Sequence, residues 1–97
     1  MIQEIIDVAK SMPARQTHIV ALKVAEETGE LAQAVMKNHG YEEIVKEVAD
    51  VIIAASDAGF QEALLKYGDT AHIDYPSDVR SAIYAKLDKW QAVYGNK

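Results

Sequence analysis

The chain has 97 residues, of which 49% are hydrophobic, with no cysteine and a net charge of −5. This length predicts a single domain over residues 1–97. The acidic charge excludes non-specific nucleic-acid binding, which needs a lysine- and arginine-rich surface, and the absence of cysteine excludes disulfides and thiolate metal sites. No apolar run is long enough for a membrane span, and the first residues lack the basic start of a signal peptide, so we expect a cytoplasmic protein without a membrane partner.

Helical periodicity covers almost the whole chain, and no segment alternates for long enough to form a strand. Pro13 separates the first two predicted helices, and Gly40 ends the second. The third is predicted to stop before Gly59, and residues 68–77 are predicted to form a loop. The predicted helices span residues 2–11, 15–38, 41–57 and 77–94, with a further turn or two in 61–67. We therefore predict an all-α protein, a compact bundle of four or five helices with two long central helices.

Two pairs of acidic residues lie on the central helices with i, i+3 spacing, which places each pair on one helix face. The pairs are Glu27 with Glu30, and Glu47 with Asp50. A shift of twenty residues superposes the two segments, and aliphatic side chains flank the acids in both. If the helices pack antiparallel across the connection at Gly40, the pairs can face each other.

Four gathered carboxylates repel one another by roughly 3–4 kcal/mol per pair at an effective dielectric near 20. Such a cluster is stable if the acids take up protons or share cations. Oxygen ligands without His or Cys favour Mg²⁺ or Mn²⁺, and Mg²⁺ takes its remaining ligands from waters and phosphates. The metal would neutralise phosphate charge and activate a water for attack. The alternatives are a solvated acidic face, or a di-iron bundle, which is disfavoured because Glu-x-x-His repeats are lacking.

These residues resemble a known motif. The segment 26–31, EETGEL, followed by 47–50, EVAD, resembles the EExxE…ExxD signature of the MazG-like, all-α nucleoside triphosphate pyrophosphohydrolases. That superfamily also contains dimeric dUTPases, dCTP pyrophosphatases and phosphoribosyl-ATP pyrophosphohydrolases. The resemblance covers about residues 15–60, and Gln16-Thr17-His18 is similar to a QTH stretch ahead of the same motif in MazG proper.

The resemblance implies a hydrolase that cleaves (d)NTPs between the α and β phosphates, giving (d)NMP and pyrophosphate in nucleotide-pool housekeeping. It implies that Mg²⁺, or Mn²⁺, is the cofactor. Glu26 matches the first Glu of the motif, which implies an outer-shell role or the orientation of a water. The candidate catalytic residues are therefore Glu26 and Glu47, since Glu26 or one of the ligands accepts the proton of the attacking water. The positions that match the family's metal ligands are Glu27, Glu30, Glu47 and Asp50.

Five further residues are candidates for substrate binding. Lys23 can touch a phosphate or pair with Glu27 one turn away. Asp57 can support the metal ligands without binding the metal itself, contact sugar or base, or be a surface acid at a helix end. Lys86 matches a family lysine near the phosphates, but Trp90 stands where an Asn is expected and no Arg follows. Trp90 can stack on a base or fill a core or dimer interface. The fifth candidate is His18. It can contact the base, or it can have a capping or surface role.

The long second helix is apolar on opposite sides, so it must be covered twice. One side carries Val20, Val24, Leu31 and Val35, and the other carries Leu22, Ala25, Ala32 and Met36. Together with the resemblance, this pattern predicts a homodimer or homotetramer. Two other functions stay open: a phosphoribosyl-ATP pyrophosphohydrolase-like activity, and a non-catalytic helical dimer that acts as a binding or regulatory module.

Overall fold

The computed structural model describes residues 1–95 and leaves 96 and 97 of the predicted domain outside the description. The prediction of an all-α protein is confirmed, since no residue in 1–95 lies in a strand. A single 3₁₀ turn, Gly68–Thr70, connects the third and fourth helices. No helix in this range is long and apolar enough to cross a membrane. The helices are α1 (Ile2–Lys10), α2 (Thr17–Met36), α3 (Tyr41–Tyr67) and α4 (Ala71–Tyr94).

The helices α2 and α3 form a hairpin whose tight turn brings their faces together. The N–H of His39 donates to the carbonyl of Ala34 at 3.0 Å, and that of Asn38 donates to Val35 at 3.3 Å. This pair of bonds is a Schellman motif, in which the residue after the C-cap adopts a left-handed conformation. That residue is Asn38, with φ of 55°. Asn38 therefore ends the helix earlier than the predicted glycine stop, and Gly40 instead precedes α3.

The prediction that the third helix ends near Asp57 is wrong, because α3 continues through Gly59 to Tyr67. A Cβ at Gly59 would lie 2.8 Å from two ring carbons of Tyr75 on α4. The glycine thus permits a close approach between two helices, and helix packing outweighs its low helix propensity.

The predicted loop over residues 68–77 is also wrong, because α4 already begins at Ala71 and contains Pro76. A proline in a helix has no N–H for the carbonyl four residues earlier, here that of His72. The side chain of Gln3 on α1 donates a hydrogen bond to this carbonyl at 3.4 Å. A tertiary contact therefore replaces the helical bond that Pro76 cannot make.

The main core lies where α1, α3 and α4 meet. Phe60 packs with its ring centroid 6.1 Å from that of Tyr75. The helix α2 lies outside this core and packs along α3. The Cα radius of gyration is 15.2 Å, above the roughly 12–13 Å of a compact domain of this length, and every residue from 80 to 95 is exposed. The buried core residues are Ile6, Ala9, Phe60, Ala63 and Ala71.

Candidate metal centre

The antiparallel packing of α2 and α3 brings both acidic pairs of the motif to one place. Carboxylate oxygens of Glu27, Glu47 and Asp50 lie within 4.8 Å of one another. The same holds for Glu26, Glu27 and Glu30. Because Glu27 belongs to both groups, the five acids form one continuous set, hereafter the carboxylate cluster.

The centre of the carboxylate cluster is buried. Glu27 is only 6% exposed, and Glu47 is partly buried. The Oε2 atoms of Glu27 and Glu47 are shielded from water and have no hydrogen-bond partner among the described residues. Burying a carboxylate oxygen without a donor is costly. These two oxygens therefore favour a bound cation or a proton at this position.

Lys23 compensates part of the negative charge. Its Nζ lies 2.9 Å from Oε1 of Glu27 and 3.6 Å from Oε1 of Glu26. The hydrogen bond to Glu27, followed by the charge of Glu26, raises the pKa of Lys23. The alternative that Lys23 pairs with Glu27 is thus confirmed as a contact. One ammonium among five carboxylates leaves the cluster strongly negative.

Glu30 shows the effect of this crowding. The negative charge of Glu27 raises the pKa of Glu30, and partial desolvation and the charges of Glu47 and Glu26 add to the rise. Glu30 and Asp50 are both exposed, so the cluster is open to solvent on that side. Waters or phosphate oxygens can reach it there.

The donor set fits a hard divalent cation. The cluster offers only carboxylate oxygens, with no His or Cys in either group. Mg²⁺ and Mn²⁺ prefer such ligands and keep some positions for water or phosphate. Two buried oxygens without donors and an open solvent side together match this requirement.

A cleft opens beside the cluster, between α1 and α2, and is called the α1–α2 cleft below. Within residues 1–95, α1 packs on α3 and α4 but not on α2. The cleft encloses about 240 Å³. Its lining includes Lys23, Glu27 and Asp50 at the cluster, and Asp57 further along α3. Two of the candidate substrate residues, Lys23 and Asp57, therefore share a space with the acids.

Asp57 takes part in a network that the sequence did not reveal. Its Oδ2 accepts a hydrogen bond from Nε of Arg15 at 3.0 Å, and its Oδ1 accepts from a second guanidinium nitrogen of Arg15 and from Gln61 at 3.0 Å. Gln61 in turn accepts the backbone N–H of Arg15 at 2.9 Å. Burial raises the pKa of Asp57, but the hydrogen bonds from Arg15 and Gln61 together outweigh it, so the pKa is lowered.

The interpretation of Asp57 as a surface acid at a helix end is wrong, because Asp57 lies inside α3 and is partly buried. It ties the connection between α1 and α2 to α3. Gln61 lies one helical turn after Asp57, and this spacing would have indicated the contact if the helix had been predicted to continue past Gly59.

The remaining candidate substrate residues lie elsewhere. His18 lines a different cleft, together with Arg15 and Gln61. Lys86 and Trp90 line an apolar cleft along α4 to which no acid contributes. Trp90 is 64% exposed, so it is not a core residue of this chain. The structure of one chain thus does not bring these three residues to the carboxylate cluster.

Comparisons of the chain with protein-family models, with curated proteins and with solved structures find no match.

Proposed function

We propose that the chain is a MazG-like nucleoside triphosphate pyrophosphohydrolase that uses Mg²⁺ to hydrolyse (d)NTPs to (d)NMP and pyrophosphate. The observation that carries the proposal is the pair of buried oxygens, Oε2 of Glu27 and Oε2 of Glu47, which have no hydrogen-bond donor within residues 1–95. They lie at the centre of the residues that make up the EExxE…ExxD pattern. A solvated acidic face would leave its oxygens in water.

Four residues, Glu27, Glu30, Glu47 and Asp50, would hold the cation, with Mn²⁺ as a possible substitute for Mg²⁺. When bound, the cation supplies neutralisation of the phosphate charge and a lowered pKa for a nearby water. Glu26 is exposed at the edge of the cluster, where it can orient a water and accept its proton. Lys23 lies beside it and can exchange its contact with Glu26 for a phosphate oxygen.

The proposed assembly is a homo-oligomer, a dimer or tetramer, in which a second copy covers the outer face of α2. This face carries an apolar stripe with the spacing of a helix–helix seam. At its centre, a Cβ at Gly29 would meet no atom of another element within 4 Å in the described part of the chain. Leu22 is 70% exposed and Met36 is 80% exposed, which is costly for a monomer. The stripe consists of Leu22, Ala25, Gly29, Ala32 and Met36.

A second copy would also cover the exposed half of α4, and it would explain why the radius of gyration of one chain exceeds that of a compact monomer. Lys86 and Trp90 would reach the carboxylate cluster only from another copy. Sedimentation equilibrium tests this assembly: we expect a dimer or larger species for the wild type and a shift to monomer for Leu22→Glu. A wild-type monomer at high protein concentration would contradict it.

The activity is tested by incubating the protein with each of the eight common nucleoside triphosphates and Mg²⁺. We expect pyrophosphate and a monophosphate as products, and their loss in Glu47→Gln. The matched control is Glu62→Gln, an exposed acid on the same helix outside the cluster. Release of orthophosphate would overturn the proposed bond. No turnover of any nucleotide, with no effect of Mg²⁺ on the melting temperature, would favour the non-catalytic helical dimer.

A further inference from the structure

The α1–α2 cleft has apolar walls next to a charged rim. Ile5, Ala9 and Met12 form the wall on the α1 side, and Ile53 and Ala54 form the floor on α3. Because α1 does not pack on α2 within the described chain, this apolar surface is reachable from outside. Its volume of about 240 Å³ is below the roughly 300–1,000 Å³ of sites that enclose a drug-sized ligand. The cleft therefore suits one part of a nucleotide and not a whole triphosphate.

The distribution of charge determines which part fits. Phosphate oxygens need cations or hydrogen-bond donors, which the apolar walls do not offer. Glu27, Asp50 and Lys23 line the same cleft and belong to the metal centre or contact it. A nucleotide with its phosphates at the cluster would thus extend its nucleoside into the cleft.

The far end of the cleft carries Asp57, seven residues after Asp50 on α3, which is about 10 Å along the helix axis. A carboxylate has about four acceptor positions. Arg15 and Gln61 occupy two positions on Oδ1 and one on Oδ2. Among the described residues, these bonds use three of the four acceptor positions of Asp57, and Asp57 lines the cleft.

We infer that the α1–α2 cleft is the nucleoside subsite, and that Asp57 at its end accepts a hydrogen bond from a donor group of the nucleoside. This inference rests on the proposed function. Arg15 and Gln61 are positioning residues, since they hold the Asp57 carboxylate in one orientation. The donor is an exocyclic amino group of the base or the 2′-hydroxyl of a ribose, and both offer the N–H or O–H that a carboxylate accepts.

The first test fills the cleft with a larger side chain. Ile53 is 52% exposed, so Ile53→Trp should fold. We expect its KM for the nucleotide to rise tenfold or more, with the stabilisation by Mg²⁺ unchanged. The matched control is Ile73→Trp on α4, where Ile73 is 63% exposed and lies outside the cleft; its KM should equal that of the wild type. An unchanged KM in Ile53→Trp would overturn the inference and leave the proposed function intact.

The second test identifies the donor. KM values for CTP, UTP, dCTP and dUTP separate the two sources, because cytosine carries an amino group where uracil has a keto oxygen. In Asp57→Asn we expect the preference that the wild type shows among these nucleotides, measured as a ratio of KM values, to fall about tenfold. A change in the cytosine-to-uracil ratio assigns the amino group, and a change in the ribose-to-deoxyribose ratio assigns the sugar hydroxyl. If neither ratio changes, the role of Asp57 in recognition is overturned.

If no nucleotide is turned over, the proposed function is overturned. A binding experiment then tests separately whether the cleft holds a nucleoside. With methyl-labelled Ile and Met, we titrate the protein with CMP in the presence of Mg²⁺. Shifts at Ile5, Met12 and Ile53 with no shift at Ile73 would support the subsite. No shift at any of the cleft methyls up to millimolar CMP would overturn it.

Discussion

Glu27 of α2 and Glu47 of α3 face each other across the helix hairpin, and each has one buried carboxylate oxygen to which no described residue donates a hydrogen bond. Carboxylate oxygens of the two lie within 4.8 Å of each other and of one from Asp50. At that distance two charges repel by about 3–4 kcal/mol at an effective dielectric near 20. The fold is therefore destabilised at this position when no cation is bound.

Mg²⁺ should stabilise the protein. A cation that binds only the folded state stabilises it by about 2.7 kcal/mol at 100 times its Kd, which corresponds to a rise in melting temperature of roughly 10–20 °C for a domain of this size. We expect this rise on replacing EDTA with Mg²⁺ or Mn²⁺, followed by circular dichroism. The rise should disappear in Glu47→Gln. An equal rise in that variant would contradict the assignment of the metal ligands.

Removing a crowded charge should stabilise the metal-free protein. The negative charge of Glu27 is the main cause of the raised pKa of Glu30, so Glu30→Gln relieves repulsion at neutral pH. We expect a higher melting temperature in EDTA for this variant and a smaller gain on adding Mg²⁺. Glu62→Gln, an exposed acid outside the cluster, should leave both values unchanged. An unchanged melting temperature for Glu30→Gln in EDTA would argue for a solvated acidic face.

The bond between Arg15 and Asp57 should make stability depend on acid pH. The pKa of Asp57 is lowered below 3.8 in the folded protein, so its contribution is present above pH 3.8 and is lost as the pH falls through the folded value. Asp57→Asn should cost about 2 kcal/mol at neutral pH, and the difference from wild type should shrink as the pH falls below 3.8. Urea denaturation across this range measures it. A difference that stays constant with pH would contradict the ionic character of the contact.

The close approach of α3 and α4 at Gly59 should tolerate no side chain. Because a Cβ there would lie 2.8 Å from ring carbons of Tyr75, Gly59→Ala should cost about 1–3 kcal/mol from overpacking. Gly29→Ala, whose Cβ would meet nothing within 4 Å, should instead gain about 0.5–1 kcal/mol from helix propensity. Urea denaturation at low protein concentration measures both changes in the free energy of unfolding. In a Tyr75→Ala background, Gly59→Ala should lose most of its effect, and a full effect there would rule out this contact as the cause.

The hydrogen bond from Gln3 to the carbonyl of His72 should matter only because Pro76 is present. Gln3→Ala should cost about 0.5–1 kcal/mol, since this carbonyl has no helical donor. In a Pro76→Ala background the helical N–H returns, and the cost of Gln3→Ala should vanish. A double-mutant cycle measures the coupling, and additive effects would show that the two residues act independently.

Local patterns predicted the helices and the acids. Period 3.6 placed apolar faces on all segments, and i, i+3 spacing put Glu27 beside Glu30 and Glu47 beside Asp50. The short connection at Gly40 then allowed α2 and α3 to pack antiparallel, which would let the two pairs face each other. The meeting of the two pairs in the structure follows from these local rules, because helix geometry fixes which residues share a face. The motif also named the reaction, which stays a proposal.

Only the tertiary structure decided the features that depend on distant contacts. Gly59 was interpreted as a helix stop and Pro76 as part of a loop, yet both lie inside helices because Tyr75 fills the space at one and Gln3 donates to the free carbonyl at the other. The network around Asp57 joins residues more than forty positions apart. Local sequence fixes periodicity and spacing, whereas packing between distant segments decides whether a helix-breaking residue breaks its helix and which side chains share a cleft.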